Sequence, residues 1–256
     1  MRKRAVSCAC LWSLCALAIA PLHAQNANQR KPPVYTYVSE WAVPRDQWPE
    51  MVKLDEQDRA LLDKLVSEGT LTGYGAFTNL IHQEGEPTHG TWLIATSEGN
   101  LLKALEAIYA QPGSTNAAVQ AASKHWDYFL QGQIYGHRSG KSENGYLAYS
   151  EWDVKPGQMR AYNDLIRSTL VPVYDRLVDD GVVTSYGMDE EDFHTQKIGR
   201  VSFYFTTNDT AAFDKASKAF DEAFEKNTTL IPALQSMVER DNHRDFLARV
   251  RFMSNK

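Results

Sequence analysis

The chain has 256 residues, with 27 Lys and Arg against 32 Asp and Glu and a formal charge of −5. That balance supplies no basic surface for the counter-ion release that drives nucleic-acid binding, so a nucleic-acid partner is not expected. The three cysteines, Cys8, Cys10 and Cys15, all lie near the start. A chain cut after residue 24 would have no disulfide and no thiolate to offer a metal or a substrate.

Residues 1–24 read as a cleaved signal peptide. Arg2-Lys3-Arg4 is followed by an apolar run from Ala9 to Ala20 and then Pro21-Leu22-His23-Ala24. This predicts a cut after Ala24 and a periplasmic or secreted location. The apolar run is short for a bilayer span, and no later stretch approaches one. Residues 25–33 are polar, contain Pro32-Pro33, and read as a disordered lead-in.

The next segment, Tyr35 to Val43, is rich in aromatic and β-branched residues and predicts a strand. Asp46 is the expected N-cap of a helix whose first turn holds Trp48-Pro49. Met51, Leu54, Leu61, Leu62, Leu65 and Val66 recur at helical spacing up to Gly69, a C-terminal cap. Strands are expected from Thr70 to Ile81, Thr91 to Thr96 and Asp127 to Tyr135, with helices from Leu101 to Tyr109 and Ala117 to Lys124. Residues 136–144, with two glycines and no apolar run, read as a linker. The second half predicts strands from Tyr146 to Val154, Val182 to Met188, Val201 to Thr207 and Asp245 to Met253. Its helices run from Met159 to Val178, with Pro172 as a kink, from Ala211 to Lys226, and from Ile231 to Glu239. The acidic run Asp189-Glu190-Glu191-Asp192 reads as a solvated hairpin tip.

The two halves repeat one another. Val38-Ser39-Glu40-Trp41 returns as Tyr149-Ser150-Glu151-Trp152. The segment from Leu65 to Gly75, ending Tyr74-Gly75, returns from Leu177 to Gly187, ending Tyr186-Gly187. Each half has the order strand, helix, strand, strand, helix, strand, which is the split βαβ pattern of a ferredoxin-like unit. The first repeat spans residues 34–135 and the second 145–256.

This tandem arrangement resembles the dimeric α/β-barrel superfamily in its fused two-repeat form. The resemblance implies an α+β fold of tandem ferredoxin-like βαββαβ repeats. Two antiparallel four-stranded sheets would pack as an intrachain α/β barrel, with helices outside. Members of that superfamily are diverse: cofactorless monooxygenases, haem enzymes resembling chlorite dismutase, dehydratases, isomerases and stress proteins. Fold does not choose among them.

The sharpest candidates for chemistry are Glu40 and Glu151. Alternation puts Thr36, Val38 and Glu40 on one face of the first strand, and Leu147, Tyr149 and Glu151 on one face of its counterpart. A carboxylate on a covered face is desolvated and can serve as an acid or base, or it can simply be paired with an arginine. Tyr74 and Tyr186 are candidate phenolic proton donors, with ring packing as the plainer reading. Trp41 and Trp152 are core or ligand platform. His82 and His194, in similar places after the second strand of each repeat, are the candidate ligands of a haem or metal. No HExxH spacing, GxSxG elbow, phosphate loop or dinucleotide fingerprint is present.

The function expected is binding of a small molecule in a barrel cavity, with acid/base catalysis by an in-strand glutamate. A non-catalytic envelope binding or assembly protein is the first alternative, and a haem or metal protein the second. Whether the chain is an enzyme, and whether it forms a homo-oligomer, stay open. His89 and Trp92 belong only to the first repeat, and Arg160, Tyr162 and Tyr204 only to the second. Activity is therefore expected to lodge in one half.

Overall fold

The computed structural model describes residues 30–111, 116–194 and 198–256. The expected signal peptide, its cysteines and residues 25–29 of the lead-in lie outside them. The first repeat holds β1 (Val34–Trp41), a 3-10 turn (Arg45–Gln47), α1 (Trp48–Ser67), β2 (Gly73–Asn79), β3 (His89–Ala95), α2 (Glu98–Tyr109), α3 (Ala117–Ala121) and β4 (His125–His137). The second holds β5 (Gly140–Val154), α4 (Met159–Thr169), α5 (Val171–Asp179), β6 (Ser185–Phe193), β7 (Arg200–Thr207), α6 (Thr210–Lys226), α7 (Leu230–Met237) and β8 (Val238–Asn255). Among the described residues, no helix is long and apolar enough to cross a membrane.

Local chemistry accounts for most element ends. Ser97 caps α2 by accepting from the Asn100 amide, and Asp209 caps α6 by accepting from Ala212. Gly69 and Gly181 close α1 and α5 with φ of +79° and +74°, the left-handed conformation that costs glycine least. Pro172 splits its helix outright: α4 ends at Thr169 and α5 starts at Val171. Asp46 is not a cap. It sits in the 3-10 turn, and α1 begins without a side-chain cap.

The eight strands close into one barrel in the order β1-β3-β2-β8-β5-β7-β6-β4. Within each repeat the order is that of a ferredoxin-like sheet. The outer strands of one sheet then pair with those of the other, β2 with β8 and β4 with β6, both antiparallel. A lone four-stranded sheet would leave two bare edges, each a row of unpaired donors and acceptors. Here each edge is taken up by the other repeat. The helices cover the outside over separate apolar clusters, two of them large. One includes Leu62, Leu71, Leu93 and Leu101. The other includes Ile166, Tyr174, Val183 and Val201.

Two expected segments take on strand structure here. Residues 136–144 do join the repeats, but all except Arg138 and Ser139 are strand. His137 still pairs with Ser185 of β6, and Gly140 already pairs with Asn255 of β8. The closed sheet gives these backbone groups partners, so the join between the repeats is made of strand. The acidic run is not a hairpin tip. It lies within β6, where alternation turns Asp189 and Glu191 inward at 3% and 7% exposure.

The repeated Tyr-Gly pair has a packing cause. A Cβ on Gly75 would meet the Trp92 ring at 2.1 Å, and one on Gly187 would meet the Tyr204 hydroxyl at 2.6 Å. Each glycine leaves room for a large ring from the neighbouring strand inside the barrel. Gly75→Ala should therefore destabilise the protein by about 1–3 kcal/mol, as over-packing does. Gly99→Ala, in α2 with nothing within 4 Å, should be neutral or stabilising by about 0.5–1 kcal/mol. Urea denaturation of the two variants checks the contrast.

Candidate functional site

The barrel interior contains a cavity of about 100 Å³. Strands from both repeats line it: Glu40 from β1, Trp92 from β3, Tyr149 and Glu151 from β5, Asp189 and Glu191 from β6, and Arg200 and Tyr204 from β7, with apolar neighbours between. A volume of about 100 Å³ is well below the ~300–1,000 Å³ of sites for drug-sized ligands. It approaches the ~150 Å³ of a cavity that admits benzene. The interior is thus neither filled nor roomy.

Glu40 is 5% exposed. Tyr149, from the other repeat, donates its hydroxyl to Glu40 Oε1 at 2.8 Å. Burial pushes the Glu40 carboxyl up to about 8; the Tyr149 bond opposes that shift, and the negative charge of Glu151 adds to it. Glu151 is also raised, chiefly by burial, with the Arg200 and Arg244 guanidinium groups pulling the other way. Arg200 Nη1 lies 3.7 Å from Glu151 Oε2 and Arg200 Nε 2.9 Å from Asp153 Oδ1. So the paired reading suits Glu151, whereas Glu40 has a phenol for its partner. Asp189 is pushed up to about 7 by burial, and its Oδ1 has no hydrogen-bond partner among the described residues. That oxygen occupies the place a side chain would take at residue 132: a Cβ on Gly132 would meet it at 2.1 Å.

The other expected residues lie elsewhere. Tyr74 and Tyr186 face outward under the helices, where their hydroxyls donate to Asp63 Oδ1 at 2.6 Å and Asp175 Oδ1 at 2.5 Å. Burial and the carboxylate partners push both phenols up, which suits anchors rather than donors to a cavity. Alternation is the reason: Gly75 and Gly187 face inward, so their tyrosine neighbours cannot. Trp41 stacks on His125 and Trp152 on His243, at centroid distances of 4.8 and 3.6 Å, and neither tryptophan lines the cavity. His82 is exposed and edge-on to Trp48. His194 is exposed just after β6. Neither reaches the cavity, so they do not fit as axial ligands of a haem held there.

The recurring Ser-Glu-Trp and His-x-Asp segments meet across strand pairs. Ser39 Oγ donates to Asp127 Oδ1 at 2.7 Å and lies 2.8 Å from His125 Nε2. Asp127 Oδ1 lies 3.1 Å from that same nitrogen. A Ser-His-Asp relay needs the carboxylate on the opposite ring nitrogen, so this cluster is a strand tie and not a triad. Ser150, Asp245 and His243 repeat it in the second half.

Sequence reasoning missed Asp189, Glu191, Arg200 and the partnership of Tyr149 with Glu40. The available signal was the alternation Ser185, Gly187, Asp189, Glu191. It was obscured because an acidic run is unlike a strand by propensity. The cavity itself is lined by both repeats. Trp92 and Tyr204 stand there as counterparts.

No family model matches the chain, and no curated protein does. Solved structures match it. A "putative monooxygenase" from Lactobacillus acidophilus superposes with a TM-score of 0.65 at 10% identity, covering 88% of this chain and 97% of its own. A "putative monooxygenase" from Fusobacterium nucleatum gives 0.60 at 12% identity, covering 89% and 96%. An anthrone oxidase-like protein gives 0.55 at 10% identity, covering 90% and 94%. The chain has the ferredoxin-like dimeric α/β-barrel fold; identities this low establish nothing further.

The raised carboxyls set a sign for pH dependence. An ordinary aspartate releases its proton near pH 4, whereas folded Asp189 keeps it to about 7. Between those values the native state holds the extra proton, so stability is fully present below about pH 4 and is lost as the pH rises through about 7. Asp189→Asn should therefore melt at a temperature closer to wild type at pH 5 and increasingly above it toward pH 8, as read by thermal melts across that range.

Proposed function

We propose that the barrel interior binds a small, largely apolar molecule and that Glu40 exchanges a proton with it. The observation that carries this is the placement of Glu40. It is buried at the wall of an aromatic-lined cavity, held by the Tyr149 hydroxyl at 2.8 Å, with its carboxyl raised to about 8. General acid/base catalysis works best when the group titrates near the working pH. Aromatic walls from Phe77, Trp92, Tyr128 and Tyr204 would hold a single flat ring. The Tyr149 bond orients the Glu40 carboxyl while its other oxygen serves the ligand. Similar structures named as monooxygenase or anthrone oxidase-like are in keeping with a small-molecule site. They carry no reaction to this chain.

A non-catalytic envelope role predicts salt-bridged glutamates and a filled interior. Glu40 makes a phenol bond instead, and there is room beside it. Export is part of the proposal, resting on the signal-like residues 1–24. In a bacterial host, the intact mass of the chain recovered from the periplasm should correspond to a start at Gln25; a chain retained inside the cell and starting at Met1 would overturn export.

Phenol, titrated into the protein and followed by NMR, is a direct probe of the interior. Saturable binding with a pH dependence centred near 8 is expected. Glu40→Gln should weaken that binding by about tenfold, roughly 1.4 kcal/mol, and flatten the profile. Unchanged affinity and an unchanged profile in Glu40→Gln would remove Glu40 from the site.

A further inference from the structure

The two seams of the barrel are built alike but charged differently. Each contains a β-bulge. In the β2–β8 seam, Ala76 pairs with Phe252 and Phe77 with Val250, so Arg251 is the extra residue. In the β4–β6 seam, Gly132 pairs with Asp189 and Ile134 with Met188, so Gln133 is the extra residue. The repeat aligns these two positions, counting from His125-Trp126-Asp127 and His243-Arg244-Asp245. It also aligns Asp55 of α1 with Arg167 of α4, the helix residues that reach the bulges.

In the first seam the bulged Arg251 forms an ion pair with Asp55, and Asp55 is 3% exposed. In the second seam no such ion pair occurs among the described residues. Arg167 is 6% exposed, and its Nη1 donates to the carbonyl of the bulged Gln133 at 3.1 Å. Where the sister seam supplies a carboxylate, this seam supplies a backbone oxygen and a neutral amide. The carboxylates of Asp164 and Glu190 act on Arg167 only through space, and a buried guanidinium without a directly bonded anion is costly.

The space beside Arg167 is a polar cavity of about 170 Å³, lined by Gln131, Gln133, Asn163, Arg167 and Glu190 with Ile134 and Met188. It lies between the outer face of β4 and β6 and helix α4, on the opposite side of the sheet from the barrel interior. At the ~30 Å³ that each water occupies in the liquid, it has room for about six waters or a small solute. Glu190 Oε1 accepts from Asn163 Nδ2 at 2.8 Å. Asn163 Oδ1 is buried with no hydrogen-bond partner among the described residues. Burial and the positive charge of Arg30 disfavour the charged form of Arg167, while the carboxylates of Asp164 and Glu190 favour it through space.

We propose that this seam is a second binding site, for a small zwitterion carrying a carboxylate and an ammonium, of the α-amino-acid type. The carboxylate would take the place that Asp55 holds in the sister seam, against the Arg167 guanidinium, where charge-assisted bonds are strong. The ammonium would face Glu190, with the Asn163 Oδ1 atom as a further acceptor. A simple anion would satisfy Arg167 but leave Glu190 beside a second negative charge. A simple cation would do the reverse. Only a molecule with both charges satisfies both walls. β-bulges are common next to functional sites because they re-aim groups out of the ladder, and here the bulge aims the Gln133 carbonyl at the arginine.

L-alanine, acetate and methylammonium, titrated separately by calorimetry into the protein, test the proposal. L-alanine should bind saturably, and each singly charged probe at least about tenfold more weakly. Arg167→Gln and Glu190→Gln should each weaken L-alanine by about tenfold or more. Because Arg167→Gln could disturb folding, the double variant Arg167→Asp with Gln133→Arg serves as a control. It rebuilds the ion pair of the sister seam, and should melt like wild type while binding no L-alanine. Acetate binding as tightly as L-alanine, a silent Glu190→Gln, L-alanine binding that survives in the double variant, or no saturable L-alanine binding to the wild type would each overturn it.

Discussion

A four-stranded antiparallel sheet leaves two rows of backbone donors and acceptors bare and one apolar face wet. In this chain each deficit of one repeat is met by the other. The β2 edge of the first pairs with β8, and its β4 edge pairs with β6. Closure removes every edge and turns the two inner faces into one interior. The cavity, the raised carboxyls and the crowding that calls for Gly75 and Gly187 all follow from that closure.

Closure also determines which residues share an environment. Glu40 and Tyr149 belong to different repeats and are 109 positions apart, yet they form a 2.8 Å hydrogen bond. Glu151 occupies the matching place in the second repeat, but the residue that corresponds to Tyr149 is Val38, which has no hydroxyl. Instead Glu151 has the Arg200 guanidinium nearby. Duplicated carboxylates therefore have unequal surroundings: one is set against a phenol and the other against a cation. The same break in symmetry recurs on the outside, where Asp55 with Arg251 is answered by Arg167 with Gln133.

The repeat could be read in the sequence by comparing the halves. At Pro172 the sequence pointed to a kink, and the structure has a break. That disturbance of the helix, the order of elements and the glycine caps could all be read, because each depends on residues within a turn or two of one another. The inward faces of β1 and β5 were readable for the same reason: alternation is a local rule. Reading failed where partners came from far away. The strand ends at residues 136–144 are held by β6 and β8, and the acidic residues of β6 are carried into the interior by pairing with β4 and β7. For Tyr74 and Tyr186 both a cavity donor and a packed anchor were open, because the choice between cavity and helix depends on which face the glycine beside each must take.

By itself the sequence determined that the chain is a tandem α+β repeat, because hydrophobic period, caps and internal similarity are properties of short stretches. It also determined that Glu40 and Glu151 would point to one covered side. Only the tertiary structure decided that both repeats share one cavity, that Glu40 meets Tyr149, and that Asp189 and Glu191 lie inside. Those outcomes rest on strand register between segments a hundred residues apart. Shifting a register by one residue exchanges the inside of a strand for its outside, and no local pattern records which register closes the barrel.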